Sequence, residues 1–192
     1  MKKILALILV FGIMLSFAAC ARDYTAPDGY QLASSTEHCD YVLYVPTAWN
    51  VESNQTNFTT ASVPLGESRC TVSVAKLDAR YEATTINDYW QGCKGDYGYL
   101  TNFTVHTVKT TGENGEEIEA EGEQIVIGSG DKQRAGYRYI FSGNYGETSY
   151  TFQQVFTIKG SDIYCLTLTA VSAHYDTCAE AFNGILGYFY FK

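Results

Sequence analysis

The stretch YRYIFSGNYGETSYTFQQVFTIKGSDIYCLTLTA, residues 137–170, decides the fold. It divides into three runs separated by Gly143-Asn144-Tyr145-Gly146 and by Lys159-Gly160-Ser161-Asp162, two segments with strong turn chemistry. Within each run one parity carries most of the bulky apolar residues. Tyr137, Tyr139 and Phe141 share a face in the first, Tyr150, Phe152, Phe156 and Ile158 in the second, and Tyr164, Leu166, Leu168 and Ala170 in the third. A period of two puts each set on one side of a pleated strand. The opposite positions hold mainly Thr, Gln, Arg and small apolar residues, so the segment reads as a three-stranded antiparallel meander.

Past the meander, Tyr175, Cys178, Phe182, Ile185 and Leu186 change to a helical period over Tyr175 to Tyr188, a stripe that lies on the sheet. Phe189-Tyr190-Phe191 closes the chain. Before the meander, extended runs are predicted at Tyr30 to Ser34, Tyr41 to Val45, Asn57 to Val63 and Arg69 to Leu77. Thr85 followed three residues later by Asp88 forms a capping pair. It opens a helix on which Ile86, Tyr89, Trp90 and Cys93 share a face. Asn102 to Thr110 and Gln124 to Ile127 read as further strands. Between them, residues 113 to 123 hold six Glu and read as an exposed, solvated hairpin loop. Strands, helix, strands, helix is an α+β order, with a central antiparallel β-sheet and helices packed on its faces.

At the N-terminus, Met1-Lys2-Lys3 precedes an uncharged apolar run from Ile4 to Ala19, the layout of a secretory signal peptide. The run is shorter than the roughly 20 residues of a comfortable membrane span. Phe17-Ala18-Ala19-Cys20 resembles the bacterial lipobox, with Phe17 standing where Leu is usual. That resemblance implies acylation of Cys20 as the new N-terminus; an ordinary cleavage near Ala19 would instead leave Cys20 a free thiol. The expected organisation is a lipoprotein signal peptide over 1–19, the lipidated cysteine and a short tether over 20–29, and a single domain over 30–192.

Loss of residues 1–19 removes Lys2 and Lys3 and no acid, which leaves eleven basic and 21 acidic residues and a net charge of −10. Such a chain does not seek nucleic acid. Sixteen Tyr and ten Phe among Thr and Val suit pleated, half-buried surfaces. Beyond Cys20 stand Cys39, Cys70, Cys93, Cys165 and Cys178 without any CxxC spacing, an odd number that leaves at least one thiol free. Their apolar settings predict buried, reduced thiols, with a single disulfide as the open alternative.

The combination Tyr44-Val45-Pro46-x-x-Trp49, the following strand pair, the helix around Asn87-Asp88-Tyr89-Trp90 and the closing Phe182-x-x-Ile185-Leu186-x-x-Phe189 resembles the PsbP-like family. The similarity covers most of residues 30 to 191. It implies a central antiparallel sheet flanked by helices, an α-β-α sandwich, and a role as a binding or assembly factor without a catalytic centre. No metal-site motif of that family stands in this sequence.

Candidate chemistry is sparse. His38-Cys39 and the i, i+4 pair His174 and Cys178 supply zinc-type ligands, but two ligands do not make a site and Cys178 belongs to the apolar stripe. No G-x-S-x-G, P-loop, G-x-G-x-x-G or H-E-x-x-H occurs. The acidic stretch fits no EF-hand loop. The reading is therefore a non-enzyme with no cofactor, no metal ligands and no catalytic residues, and with Cys20 as its one modification site. It is expected to be an extracytoplasmic, membrane-tethered binding or assembly module that offers an exposed aromatic patch to a protein or envelope partner. A small-ligand or metal-binding lipoprotein is the alternative, marked by a concave pocket with converging polar groups. A cryptic thiol enzyme or hydrolase is the third, marked by an exposed nucleophile beside a base.

Overall fold

The computed structural model describes residues 24–77, 85–112 and 114–192. Residues 1–23, which hold the expected signal peptide, Cys20 and the start of the expected tether, residues 78–84 and Glu113 lie outside the described residues. The predicted meander is present as β11 (Arg134–Tyr145), β12 (Thr148–Lys159) and β13 (Asp162–Val171). Both hairpins close with two residues, Gly146-Glu147 and Gly160-Ser161, each with its glycine at φ +63°. A positive φ at the first central position matches the right-handed twist of the flanking strands. The first turn lies later than expected, because Gly143, Asn144 and Tyr145 still pair with Tyr150, Ser149 and Thr148.

The sheet extends from this meander on both sides. β6 (Ser68–Leu77) pairs with β13, β5 (Phe58–Leu65) with β6, and β4 (Asn50–Gln55) with β5, all antiparallel. On the far edge, β10 (Gly122–Ile127) pairs with the first half of β11 and β7 (Thr101–His106) with the second half. Strand β4 escapes a reading of apolar periodicity because NVESNQ is an edge strand, mostly exposed and interrupted by an irregular register between Val51 and Ser53. Tyr41 to Val45 is split in two. β3 (Tyr44–Pro46) pairs with β1 (Tyr30–Leu32), whereas β2 (Tyr41–Val42) pairs with β14 (Tyr190–Phe191). The acidic stretch is no simple loop. It includes β9 (Glu117–Ala120), paired with β8 (Val108–Thr111), and it runs into β10.

Register places the apolar stripes of the meander on opposite faces. Phe156 lies opposite Tyr137 on one side and Cys165 on the other, so the aromatic stripes of β11 and β12 share a face with Cys165 and Thr167. Tyr164, Leu166, Leu168 and Ala170 point the other way, towards Cys70, Val72 and Val74 of β6. Both faces are apolar and each is covered. Helix α2 (Tyr175–Tyr188) buries Cys178, Phe182, Ile185 and Leu186 in the aliphatic layer, where Tyr41, Leu43, Val45 and Trp49 complete the packing. Helix α1 (Ile86–Cys93) buries Ile86, Tyr89, Trp90 and Cys93 in the aromatic layer.

Helix α1 starts where its sequence says. Thr85 accepts from the Asp88 backbone N–H at 3.1 Å, and the Thr85 N–H donates to the Asp88 carboxylate at 3.1 Å. Trp90 stacks on Tyr139 with ring centroids 4.6 Å apart. Tyr139 in turn lies over Gly122, where any Cβ would collide with its ring. In chemical denaturation, Thr85→Ala is expected to cost about 1 kcal/mol and Trp90→Ala about 3–5 kcal/mol. A Trp90→Ala loss near 1 kcal/mol would show that the aromatic layer contributes little to holding α1.

Candidate functional site

The aromatic layer is covered unevenly. Across the sheet, one row of neighbours on this face runs Phe141, Phe152, Thr169, Thr71 and Ser62; the next runs Tyr139, Gln154, Thr167, Ser73 and Thr60. Its β11 and β12 half is aromatic, and its β13, β6 and β5 half carries hydroxyls. Eight residues of α1 span about 12 Å and stand over the aromatic half, packed with Tyr139, Phe141 and Phe156.

A 3-10 turn, Lys94–Tyr97, continues α1 and inserts Tyr97 into the layer. Its ring lies 4.6 Å from Phe141 and stacks on Phe103 at 6.1 Å. Ring contacts then lead outward through Tyr99 to Tyr145, at 6.4 and 6.3 Å, and inward from Phe141 through Phe152 to Tyr150, at 4.9 and 6.3 Å. Tyr99 and Tyr145 are 60% and 66% exposed and form a surface aromatic pair fed from the core. Directly across the strand pair from Tyr145 stands Thr148. It lines an open trough of about 620 Å³ with Arg69, Thr71, Tyr150, Thr169 and Val171.

On the inner side of Tyr97 lies a smaller cavity of about 170 Å³ between the turn and the sheet. Leu77, Tyr89, Cys93, Phe156, Cys165, Gln154 and Thr167 are among its walls, with Asp96 also at its lining. Gln154 Nε2 donates to Tyr97 Oη at 2.6 Å and to Thr167 Oγ1 at 3.3 Å. Cys165 Sγ stands 3.3 Å from the same hydroxyl.

All five described cysteines are buried and unpaired, as their apolar positions predicted. Burial raises Cys93 from its ordinary 9.0 to about 11 and Cys165 to about 12. It also raises Cys70, assisted by its hydrogen bond with Cys178. Desolvation disfavours the thiolate, so these thiols stay protonated and poorly nucleophilic at neutral pH. The suspected Cys and His pairs are not assembled into sites. His38 is exposed beside buried Cys39, and His174 is exposed while Cys178 packs in the aliphatic layer. Among the described residues, no group of three or more His, Cys, Asp or Glu side chains is arranged to hold a metal ion.

Glu121 corrects the expectation that the acidic stretch is merely solvated. Trp90 Nε1, Gln91 Nε2 and Lys94 Nζ each donate to its carboxylate at 3.0 Å, which ties α1 to the edge of the sheet. Burial raises its pKa, but the hydrogen bonds from Lys94, Gln91 and Trp90 and the Lys94 charge outweigh that effect and hold the pKa below the ordinary value. Composition could not single out Glu121 among six glutamates, because the selection depends on where β10 brings it relative to α1.

No protein-family model matches the sequence, and no curated protein matches it. Solved structures do. The Ran-binding protein Mog1p of Saccharomyces cerevisiae is similar with a TM-score of 0.50 and 7% identity, over 82% of this chain and 90% of that one. Cyanobacterial PsbP from Synechocystis sp. PCC 6803 gives 0.46 and 10%, over 91% and 99%. LpqN of Mycobacterium tuberculosis, described as involved in cell envelope biogenesis, gives 0.39 and 15%, over 88% and 81%. At these identities the likeness concerns architecture. An antiparallel sheet flanked by helices is what the sequence resemblance implied and what the chain forms.

Because buried Cys93 and Cys165 have pKa values above their unfolded ones, their contribution to stability is complete below about pH 9 and is lost as pH rises through 9 to 12. Titration of the folded protein with a disulfide reagent at pH 8 is expected to find these five thiols unreactive until denaturant is added. Rapid native reaction of Cys93 or Cys165 would contradict the protonated, enclosed state assigned to them.

Proposed function

We propose that this chain is an extracytoplasmic lipoprotein, anchored in the membrane through acyl chains on Cys20, whose folded body is a non-enzymatic binding module for a protein or envelope partner. The observation that carries the reading is the continuity of Tyr99, Tyr145 and Thr148 with the trough between β12, β13, β6 and β5. Tyrosine combines an apolar body with a hydrogen-bonding tip and loses little rotamer entropy when it docks, which suits a contact surface. Hydroxyls along the trough add adaptable donors and acceptors, and Arg69 at its end, whose guanidinium pairs with Glu52 at 3.1 Å, adds a planar group. Protonated, buried thiols argue against the thiol-enzyme alternative.

The tether fits this role. Tyr24 rests against Lys192, with the ammonium 5.3 Å from the ring centroid. Three residues, 21–23, then separate the acylated position from Tyr24, a reach of at most about 14 Å over four extended steps. Two or more acyl chains anchor stably where one does not.

Mass spectrometry of the membrane fraction is expected to find a chain beginning at Cys20 with its mass raised by acylation, and Cys20→Ala is expected to abolish that form. An unmodified N-terminus at Cys20 would refute the anchor while leaving the binding reading in place. For the surface, a photo-cross-linking residue at position 145 is expected to yield discrete adducts in intact cells, and the same residue at position 188, the last of α2, is not. Equal adduct patterns at both positions would remove the argument for the trough.

A further inference from the structure

We infer that the end of the sheet from which the tether leaves is a docking surface for the phosphate headgroups of an anionic membrane, and that it holds Tyr145 and the trough away from the bilayer. The inference rests on the anchored reading of Cys20 and adds to it the face that meets the lipid. Among the described Lys and Arg residues, Arg69, Lys76, Lys94, Lys109, Arg138 and Lys159 each stand in an ion pair with a carboxylate, whereas Lys132, Arg134 and Lys192 do not. These three gather around β14 and the first described residue of the tether. Lys132 Nζ lies 3.5 Å from the Tyr190 ring centroid, Arg134 Cζ 4.3 Å from that of Phe191 and Lys192 Nζ 5.3 Å from that of Tyr24. Lys192 Nζ also donates to the carbonyls of Ser35, Thr36 and Cys39 at 3.2, 2.8 and 2.6 Å, neutral partners that leave its charge uncompensated.

All three belong to one end of the fold. Arg134 opens β11 and donates from Nη1 to Ile158 O at 3.2 Å, while Lys159 Nζ, from the last residue of β12, and the Lys192 N–H both donate to Asp40 O, at 3.0 and 2.9 Å. Tyr145 closes β11 at the other end, about 35 Å away along extended strand. There Glu147, in the turn between β11 and β12, and Glu67, in the turn between β5 and β6, have no cationic partner among the described residues. The tether end has exposed acids of its own, Asp131 beside Lys132 and Glu37 on the loop that holds Lys192, and its Asp40 is shared by Lys159 and Tyr164. Its positive surplus is therefore small, and orientation follows from the contrast between the two ends. A mature chain of net charge −10 is repelled by an anionic surface, least of all where unpaired cations face it. Each such cation favours contact about five-fold, within a screening length of about 8 Å. The tether keeps this end, and not the trough, within about 14 Å of the bilayer. Tyr24 and Tyr190, both half-buried, add rings of the kind that settle at headgroup level.

The test uses residues 20–192 made without the export signal, with the Cys20 thiol coupled to a maleimide phospholipid in vesicles, so that its outcome does not depend on acylation in cells. Every described strand and helix lies within this chain. Hydrogen exchange, read by mass spectrometry, is compared between vesicles of phosphatidylcholine alone and vesicles that also contain phosphatidylglycerol. Amides of residues 129–133 and 189–192 are expected to exchange about five-fold more slowly on the anionic vesicles, and those of residues 144–148 at the same rate on both. High salt is expected to remove the slowing, Lys132→Glu to weaken it, and the double variant Lys132→Gln with Arg134→Gln to abolish it. Should the double variant fail to fold, Lys132→Glu, at an exposed position, and the salt dependence of the wild type carry the test. Equal slowing on both kinds of vesicle, slowing centred on residues 144–148, or no slowing at all overturns the assignment. An unmodified N-terminus in cells refutes the anchor instead, and leaves the vesicle result standing.

Discussion

The pairing of Phe156 with Tyr137 on one side and with Cys165 on the other sets the course of the whole structure. Side chains alternate along a strand, so a slip of one residue in either pairing would move an entire stripe to the other face. In the register observed, aromatic residues of β11 and β12 line one face and aliphatic residues of β13 and β6 line the other. Neither face can be left to water. The two helices answer that demand, and their sequences match the layers they cover. Phe182, Ile185 and Leu186 of α2 meet the aliphatic face, and Tyr89 and Trp90 of α1 meet the aromatic one.

The covers differ in length, and the difference creates the surface features of interest. Fourteen residues of α2 extend for about 21 Å, against the shorter α1. Tyr97 continues the aromatic cover past the end of α1, touching Trp90, Phe103 and Phe141. What α1 and its turn leave over is a polar pocket around Gln154 on one side and a hydroxyl-lined trough on the other. Both arise because β13, β6 and β5 present Thr and Ser on this face where β11 and β12 present rings. A longer α1 with an apolar stripe would find no apolar partner there.

Polar groups inside the layers are used sparingly and for position. Glu121 receives three donors from α1 and its turn and so sets the angle at which the helix meets the sheet. Tyr175 Oη donates to Gln153 at 2.9 Å and does the same for the start of α2. Cysteines behave as small apolar residues, since the five described thiols are enclosed and burial holds Cys93 and Cys165 protonated. Chemistry that depends on an ionised nucleophile has no support among them, whereas recognition by shape and hydrogen bonding has several elements already in place.

Local pattern alone determined a good deal. The stripe from Tyr175 to Leu186 specifies α2, the Thr85 and Asp88 pair specifies the start of α1, and Gly160-Ser161 specifies a hairpin, because each depends on residues within a few positions of one another. The same local rules missed β4, whose polar residues carry no apolar period, and treated Glu117 to Ala120 as loop, because a strand stabilised by its hairpin partner needs no buried face. Neither site was legible. Gln154 and Thr167 are 13 positions apart and Gln154 and Tyr97 are 57 apart, and nothing in their local sequence distinguishes them from other polar residues of a strand or turn. Only strand order, register and the short reach of α1 brought them together, since hydrogen bonds between distant residues exist only after the apolar layers have fixed where each strand lies.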